Sequence, residues 1–344
     1  IKMEYNIPEL NTLSALEFTS AINKIDLSSI DESVFVADMK WVRPFGMLTA
    51  STAIKHLRNQ YPDIPFRIQC STNRNGVSYA AHMGFFKSIS EKISIGNSPG
   101  EAIGNDNYLP ITQLDLVQLH NDDIASGQFG ALGDSIEKKS AELSNIICRN
   151  NIEMQALMTY LIREILRNIP EHANESTAWI CGQYWADHTA EIAIVDEGVG
   201  VKSSLQRNAV HRQYVIDDET ALLCAIKAGI SQSFIPDRGN RSSDVWSNSG
   251  YGLYMVSEIC KELKGSFCIA SGKNYIYVGQ DGVVSSGEAY MQGTAVKMTF
   301  STDYLKSSRE IIQSIASQGE AEARTIRNAF KKASRPSKGL ILEL

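Results

Sequence analysis

The chain has 344 residues, which is more than one hydrophobic core usually serves, so two or more domains are expected. Hydrophobic residues make up 43% and charged residues 21%, which excludes disorder as the main state. The formal net charge of -6 gives no general electrostatic reason to expect a nucleic-acid partner, and no run of about 18 apolar residues predicts a membrane span. We therefore expect a cytoplasmic protein that acts without a membrane or nucleic-acid partner.

The first elements alternate between strands and helices. Residues 33–42 are predicted as a strand, and the turn Pro44-Phe45-Gly46 is predicted to begin an amphipathic helix. Residues 66–70 predict a second strand, and residues 77–82 predict a short helix that ends at Gly84. This order indicates a small α/β domain.

The predicted N-terminal α/β domain covers residues 1–95. The segment 96–107 is rich in Gly, Asn and Ser and is predicted as a linker. A strand is predicted at 108–119 and a helix at 135–149. We assign residues 96–150 to a linker and helical connection.

The C-terminal half is predicted as a layered α/β sandwich over residues 151–301. Helices are predicted at 151–173 and 252–263. Strands are predicted at 178–185, 191–195, 266–270, 275–278 and 295–300. Residues 302–344 are predicted as a charged C-terminal tail, helical before Pro336.

Three polar residues recur along the first helix of this half. Glu164, Asn168 and His172 stand at i, i+4 and i+8, so they project from one helix face beside the apolar stripe. Such a row lines a pocket in some proteins and is a solvated surface in others. The rest of the chain is needed to decide between the two.

Two glycine turns follow. Asp196-Glu197-Gly198-Val199-Gly200 comes directly after a predicted strand, where a buried carboxylate can accept a hydrogen bond from an adenine amino group. Ser249-Gly250-Tyr251-Gly252-Leu253 opens a predicted helix, whose free N–H groups and dipole suit phosphates. Each turn alone is weak evidence, and the chain has neither a Walker motif nor the context of a dinucleotide-binding fingerprint.

In this order, the three pieces resemble the GHKL ATPase superfamily, the class of gyrase, histidine kinases and MutL, with its E-x-x-x-N helix, D-x-G-x-G turn and G-x-G-L helix start. The likeness extends to the strand start Lys264-Gly265-Ser266-Phe267 and to Gly293-Thr294 before the final strand. It covers roughly residues 150–301. The resemblance implies a Bergerat fold, which is a two-layer α/β sandwich that binds ATP with Mg²⁺.

The resemblance also implies a role for individual residues. Glu164 would orient or deprotonate the attacking water or hydroxyl, and Asn168 would coordinate the Mg²⁺ that bridges the phosphates. Asp196 would bind adenine with the help of Thr294. The implied cofactor contacts are Asn168, His172, Asp196, Gly198, Gly200, Gly250, Tyr251, Gly252, Leu253 and Thr294.

The resemblance further implies a mobile lid at residues 201–248, in which Arg238 and Arg241 are candidates to contact a terminal phosphate. The helix motif departs from the usual pattern at Pro170. Because proline lacks a backbone N–H, it is predicted to kink the helix end just beyond the metal-binding position.

Residues 1–95 more faintly resemble a STAS-like domain, the fold of anti-sigma-factor antagonists. The likeness rests on the strand Val34 to Asp38, the turn Pro44-Phe45-Gly46 and the segment Met83-Gly84-Phe85-Phe86. STAS-like domains can carry a phosphorylatable serine at that turn. The turn has no hydroxyl here, so no phosphorylation site is expected at this place.

The leading hypothesis is a slow, Mg²⁺-dependent ATPase whose lid closure presents a changed surface to a protein partner. The alternative is a serine/threonine protein kinase of the anti-sigma-factor type that acts on a STAS-like partner. A histidine kinase is a weaker hypothesis, because no histidine stands in an H-[ED]-x-[RK] helix pattern. A degenerate pocket in an interaction scaffold and a homodimer formed through 135–149 or the tail stay open.

Overall fold

Eight strands form two sheets in the part of the chain that the computed structural model describes, residues 1–128, 130–173, 175–234 and 249–339. The first sheet is parallel, in the order β1-β2-β3: β1 Lys2–Ile7, β2 Glu32–Ala37 and β3 Phe66–Cys70. The second is antiparallel, in the order β4-β5-β6-β8-β7: β4 Tyr108–Asp115, β5 Thr177–Tyr184, β6 Thr189–Asp196, β7 Phe267–Val278 and β8 Val284–Ser301. The predicted mixed α/β class is confirmed.

The helices cover both sheets. They are α1 Thr12–Asn23, α2 Pro44–Gln60, α3 Asn75–Met83, α4 Phe85–Ile89, α5 Leu116–Ala125, α6 Leu132–Ile147, α7 Ile152–Asn168, α8 Gly200–Gln206, α9 Ala209–Arg212, α10 Asp218–Ala225, α11 Gly252–Glu262 and α12 Ser308–Ala323. A π-helical turn, Ile169–Ala173, follows α7, and a 3₁₀ turn, Pro336–Lys338, lies near the C-terminus. As predicted, α3 stops at Gly84, whose φ of 92° suits glycine.

The five-stranded sheet is buried on both faces. In β6, Ile192 and Ile194 face the core formed with α7 and α11, whereas Ala193 and Val195 face the core of the N-terminal region. On this second side, α2 packs against β5, β6 and β8. Nearly continuous apolar strands are typical of a sheet covered on both faces. Residues 1–95 therefore share a hydrophobic core with the C-terminal half.

The predicted boundary at residue 151 is wrong in one respect, because β4 pairs with β5 and belongs to the five-stranded sheet. Helix α6 also packs on α7. The last four residues of the strand predicted at 108–119 are helical, since Asp115 caps the N-terminus of α5 by accepting a hydrogen bond from the Gln118 N–H at 3.0 Å. The region predicted as a connection thus completes the sheet that carries the site.

Other differences concern strand length. The strands predicted at 266–270 and 275–278 form the single strand β7, and β8 begins at Val284, well before the predicted start at 295. The sequence analysis also missed β1 and α1. Strand β1 is an edge strand with mostly exposed side chains, so its sequence lacks a clear apolar alternation.

Candidate functional site

The end of α7 is shaped by Pro170. Proline cannot donate the hydrogen bond that would continue the α-helix, and the chain forms the π turn Ile169–Ala173 instead. The predicted kink appears as a change from α-helix to π turn directly after Asn168. Asn168 is the last residue of α7, and His172 lies in the π turn.

A cleft lies between the end of α7, the end of β6, helix α8 and the start of α11. Its empty volume, which includes open solvent at the mouth, is about 780 Å³. Eight predicted cofactor contacts line it: Asn168, His172, Asp196, Gly200, Gly250, Gly252, Leu253 and Thr294. Three predicted site residues are not among its lining residues: Glu164, Gly198 and Tyr251. The fold thus brings residues of all three motifs to one cavity.

Asp196 is the acidic residue of the cleft floor. Its side chain is buried, and its Oδ1 accepts a hydrogen bond from the Gly198 N–H at 2.8 Å. Burial raises the pKa of Asp196 to about 6, while hydrogen bonds from Gly198 and Thr294 act in the opposite direction. This carboxylate is stabilised by backbone and hydroxyl groups at the edge of an apolar wall.

The apolar wall contains residues that no motif indicated. Aliphatic side chains surround the floor of the cleft: Ile165, Ile194, Leu205, Ile230 and Val296. They come from α7, the sheet, α8 and the segment after α10, so only tertiary structure brings them together. A flat heteroaromatic ring is the kind of group that such walls and a single buried acceptor bind.

Gly198 has a structural role beside the cleft. A Cβ atom at this position would lie 2.3 Å from the Ala173 carbonyl oxygen, so only glycine fits against the π turn. Gly200 has a φ of 79°, and a Cβ there would lie 2.8 Å from Ser271 Oγ. Both glycines of the turn are therefore required by close approach of the chain around Asp196.

The N-terminus of α11 faces the same cleft. Gly250 adopts a φ of 72°, and Gly252 and Leu253 form the first turn of the helix. Among the described residues, no side chain caps this turn, and the N–H groups of a helix start are the kind of donors that bind an anion. The cleft therefore combines an acid-bearing apolar floor with a donor-rich helix end.

Tyr251 points away from the cleft. Its side chain is fully buried, and its hydroxyl donates to the Phe330 carbonyl oxygen at 2.9 Å. The ring packs into the core, so the predicted cofactor contact of Tyr251 stays a prediction for its backbone.

Glu164 lies behind the first turn of α11. A Cβ atom built on Gly252 would be 3.0 Å from Glu164 Oε2. Its Oε1 accepts hydrogen bonds from Arg163 at 2.9 and 3.2 Å and from Arg167 at 3.4 Å, and its Oε2 accepts one from Ser337 Oγ at 3.3 Å. Only 2% of Glu164 is exposed, so the predicted base is enclosed by protein groups.

His172 lines the cleft as an uncharged group. Burial, together with the positive charges of Arg167 and Arg207, lowers its pKa to about 4. The imidazole is consequently neutral near pH 7, and it offers a hydrogen bond instead of a charge.

The positively charged residues predicted in the lid, Arg238 and Arg241, lie outside the described residues. Within the described part of the chain, no group of three or more His, Cys, Asp or Glu residues is arranged to hold a metal ion. Among those same residues, no helix combines the length and the apolarity that crossing a bilayer requires.

Comparisons of the chain with protein-family models, with curated proteins and with solved structures find no match.

Proposed function

We propose that this chain binds ATP together with Mg²⁺ in the cleft, and that its C-terminal half is a Bergerat-type two-layer sandwich of the GHKL class. The observation that carries the proposal is a single cleft lined both by the buried Asp196 with its aliphatic wall and by the first turn of α11. The apolar wall with its acceptor suits a purine base, and the helix start suits a phosphate chain.

The apolar floor suits an adenine ring. Asp196 has acceptor oxygens but no donor when it is ionised, so it pairs with an exocyclic amino group and not with a carbonyl. Adenine carries such an amino group, whereas guanine carries a carbonyl at the corresponding ring position. Thr294, which pairs with Asp196 across β6 and β8, adds a hydroxyl at the same place.

The first turn of α11 suits the phosphates. The N–H groups of Gly252 and Leu253 and the positive end of the α11 dipole attract negative charge. The amide oxygen of Asn168 is an oxygen ligand of the type that Mg²⁺ accepts, and Mg²⁺ on phosphates needs few protein ligands. Bound Mg²⁺ would neutralise charge on the phosphates.

Hydrolysis is assigned to Glu164 within this proposal, as a slow reaction. Its carboxylate lies next to Gly252, but Arg163, Arg167 and Ser337 occupy its oxygens. We propose a nucleotide-dependent switch that acts on a protein partner.

The alternative is a serine/threonine protein kinase that acts on a STAS-like partner, and the same cleft supports it. The start of α2 in this chain does not offer such a kinase an intramolecular target. The start of α2 is buried, and the Phe45 N–H donates to Glu191 Oε1 at 3.0 Å. Glu191, which is itself buried in β6, already caps this helix. A kinase of this type would need a target on another chain.

The test is calorimetric titration with ATP and with GTP, each with and without Mg²⁺, together with a phosphate-release assay. ATP should bind more tightly than GTP, and Asn168→Ala should remove the Mg²⁺ dependence of binding. Asn23→Ala, the same change at an exposed position of α1, is the matched control. Absence of ATP binding by the parent protein, or equal binding of GTP, would overturn the proposal.

A further inference from the structure

The chain after α12 returns to the site. We call residues 324–339 the C-terminal segment. Its Phe330 N–H donates to the Gly229 carbonyl oxygen at 2.8 Å, and its Ser334 N–H donates to Ser249 Oγ at 2.9 Å. The segment therefore contacts the chain immediately before the first turn of α11.

The end of this segment reaches α7. The Tyr160 hydroxyl donates to the Ser337 carbonyl oxygen at 2.6 Å, and the Arg163 guanidinium donates to the Pro336 carbonyl oxygen. These two bonds fix the 3₁₀ turn Pro336–Lys338 against the face of α7 that bears Glu164.

The Ser337 hydroxyl donates to Glu164 Oε2, and this contact is sealed from solvent. Ser337 is 3% exposed and Glu164 is 2% exposed. The second oxygen, Oε1, is held by Arg163 and Arg167. Both oxygens of the proposed base thus carry protein donors in this arrangement.

A general base must lie within hydrogen-bond reach of the water that it activates. In ATP hydrolysis, the water oxygen bonds to the γ-phosphorus, the bond to the bridging oxygen breaks with its electron pair leaving on ADP, and a water proton passes to the base. Oε2 is the carboxylate oxygen next to Gly252 at the cleft, and Ser337 occupies it. The Ser337 hydroxyl competes with water for that oxygen, and the surrounding protein leaves only 2% of Glu164 exposed.

We propose that the C-terminal segment is an autoinhibitory latch, in which Ser337 keeps Glu164 from activating water until the segment is displaced. The inference rests on the proposed ATP site and adds its regulation. The latch is held to α7 by a few hydrogen bonds, so weakening one of them should increase turnover.

The test compares three variants with the parent protein. Ser337→Ala removes the hydroxyl on Glu164, and Tyr160→Phe removes the bond that holds the turn without changing the ring. Ser317→Ala makes the same serine substitution on the exposed side of α12 and is the control. We measure the rate of phosphate release at saturating ATP and, separately, the calorimetric Kd for ATP.

If the segment is a latch, Ser337→Ala and Tyr160→Phe should release phosphate faster while their Kd for ATP stays unchanged. Loss of one hydrogen bond should raise the phosphate-release rate about two- to tenfold in Ser337→Ala and Tyr160→Phe. Ser317→Ala should match the parent protein. A gain of activity cannot result from partial unfolding, so the direction of the effect separates the latch from a general structural role.

A phosphate-release rate that is unchanged or lower in both Ser337→Ala and Tyr160→Phe would overturn the inference. It would also be overturned if every variant binds ATP and none releases phosphate. In those outcomes, ATP binding itself would still stand. If neither the parent protein nor any variant binds ATP, the proposed function fails and the latch fails with it.

Discussion

Two buried carboxylates, Asp196 on the cleft floor and Glu164 behind the first turn of α11, are stabilised in different ways. Glu164 is surrounded by the guanidinium groups of Arg163 and Arg167. Asp196 has only hydrogen bonds from Gly198 and Thr294, and its pKa is raised to about 6. The Glu164 carboxylate is paired with positive charges within the protein, whereas that of Asp196 has no ion pair among the described residues.

This difference indicates what each carboxylate contributes to the free energy of unfolding. Removing one partner of a buried ion pair leaves a charge without compensation. Removing a buried carboxylate that lacks a cationic partner relieves an unfavourable burial. Replacing the acid by its amide should therefore lower the free energy of unfolding at Glu164 and raise it at Asp196.

The largest expected effect is that of Glu164→Gln. The neutral amide cannot compensate Arg163 and Arg167, which are 1% and 5% exposed, so the free energy of unfolding should fall by about 3–5 kcal/mol. Urea unfolding would measure this loss. Glu142→Gln is the control, because its ion pair with Lys139 is exposed, and it should cost less than about 1 kcal/mol. Equal effects of the two substitutions would contradict the described arginine cluster.

Asp196→Asn should instead stabilise the protein. Because the pKa of Asp196 rises from 3.8 to about 6 on folding, its ionised form opposes folding above that pH. Asparagine removes this cost, so the variant should gain about 1–3 kcal/mol near pH 7.5. The gain should shrink as the pH falls through 6 and vanish below the unfolded pKa of 3.8, where the parent residue is protonated in both states. Urea unfolding across that range would check the sign, and a loss of stability at pH 7.5 would contradict it.

Thr294→Val should weaken ATP binding moderately. The substitution keeps the shape of the side chain and removes the hydroxyl beside Asp196, so about 0.5–1.5 kcal/mol of binding free energy should be lost. Calorimetry would measure the change in Kd. Thr325→Val, at an exposed position after α12, should leave the Kd unchanged.

The smallest expected effect is the pH dependence of ATP binding. An ionised acceptor makes a stronger hydrogen bond than a neutral one, so affinity should fall up to about fivefold as the pH is lowered from 7.5 to 5 and Asp196 becomes protonated. Other groups on the ligand also titrate in this range. The quantity to compare is therefore the Kd of Asp196→Asn divided by the Kd of the parent protein at each pH. A ratio that stays constant with pH would contradict the assignment of Asp196 as the acceptor for adenine.

The sequence predicted the parts of the fold with strong local signals. The stop of α3 at Gly84 and the end of regular α-helix next to Pro170 follow from single residues, and the structure shows both. The edge strand β1 and the membership of β4 in the second sheet depend on tertiary pairing. No local pattern indicated them.

The candidate site was predictable to a similar degree. The motif positions Asn168, Asp196 and Gly252 all line one cleft, as their order along the chain indicated. The burial of Tyr251 and the contact between Ser337 and Glu164 were not predictable, because both depend on a segment that returns from the C-terminus.

The central claim is that the Asp196 carboxylate accepts a hydrogen bond from the adenine of a bound ATP. The most direct measurement is the calorimetric Kd for ATP of the parent protein, Asp196→Ala and Asp187→Ala, the last being an exposed aspartate in the turn before β6. Removing a buried, charged acceptor should weaken binding by about tenfold or more, whereas Asp187→Ala should bind as the parent does. ATP binding by Asp196→Ala with the affinity of the parent protein would contradict the account.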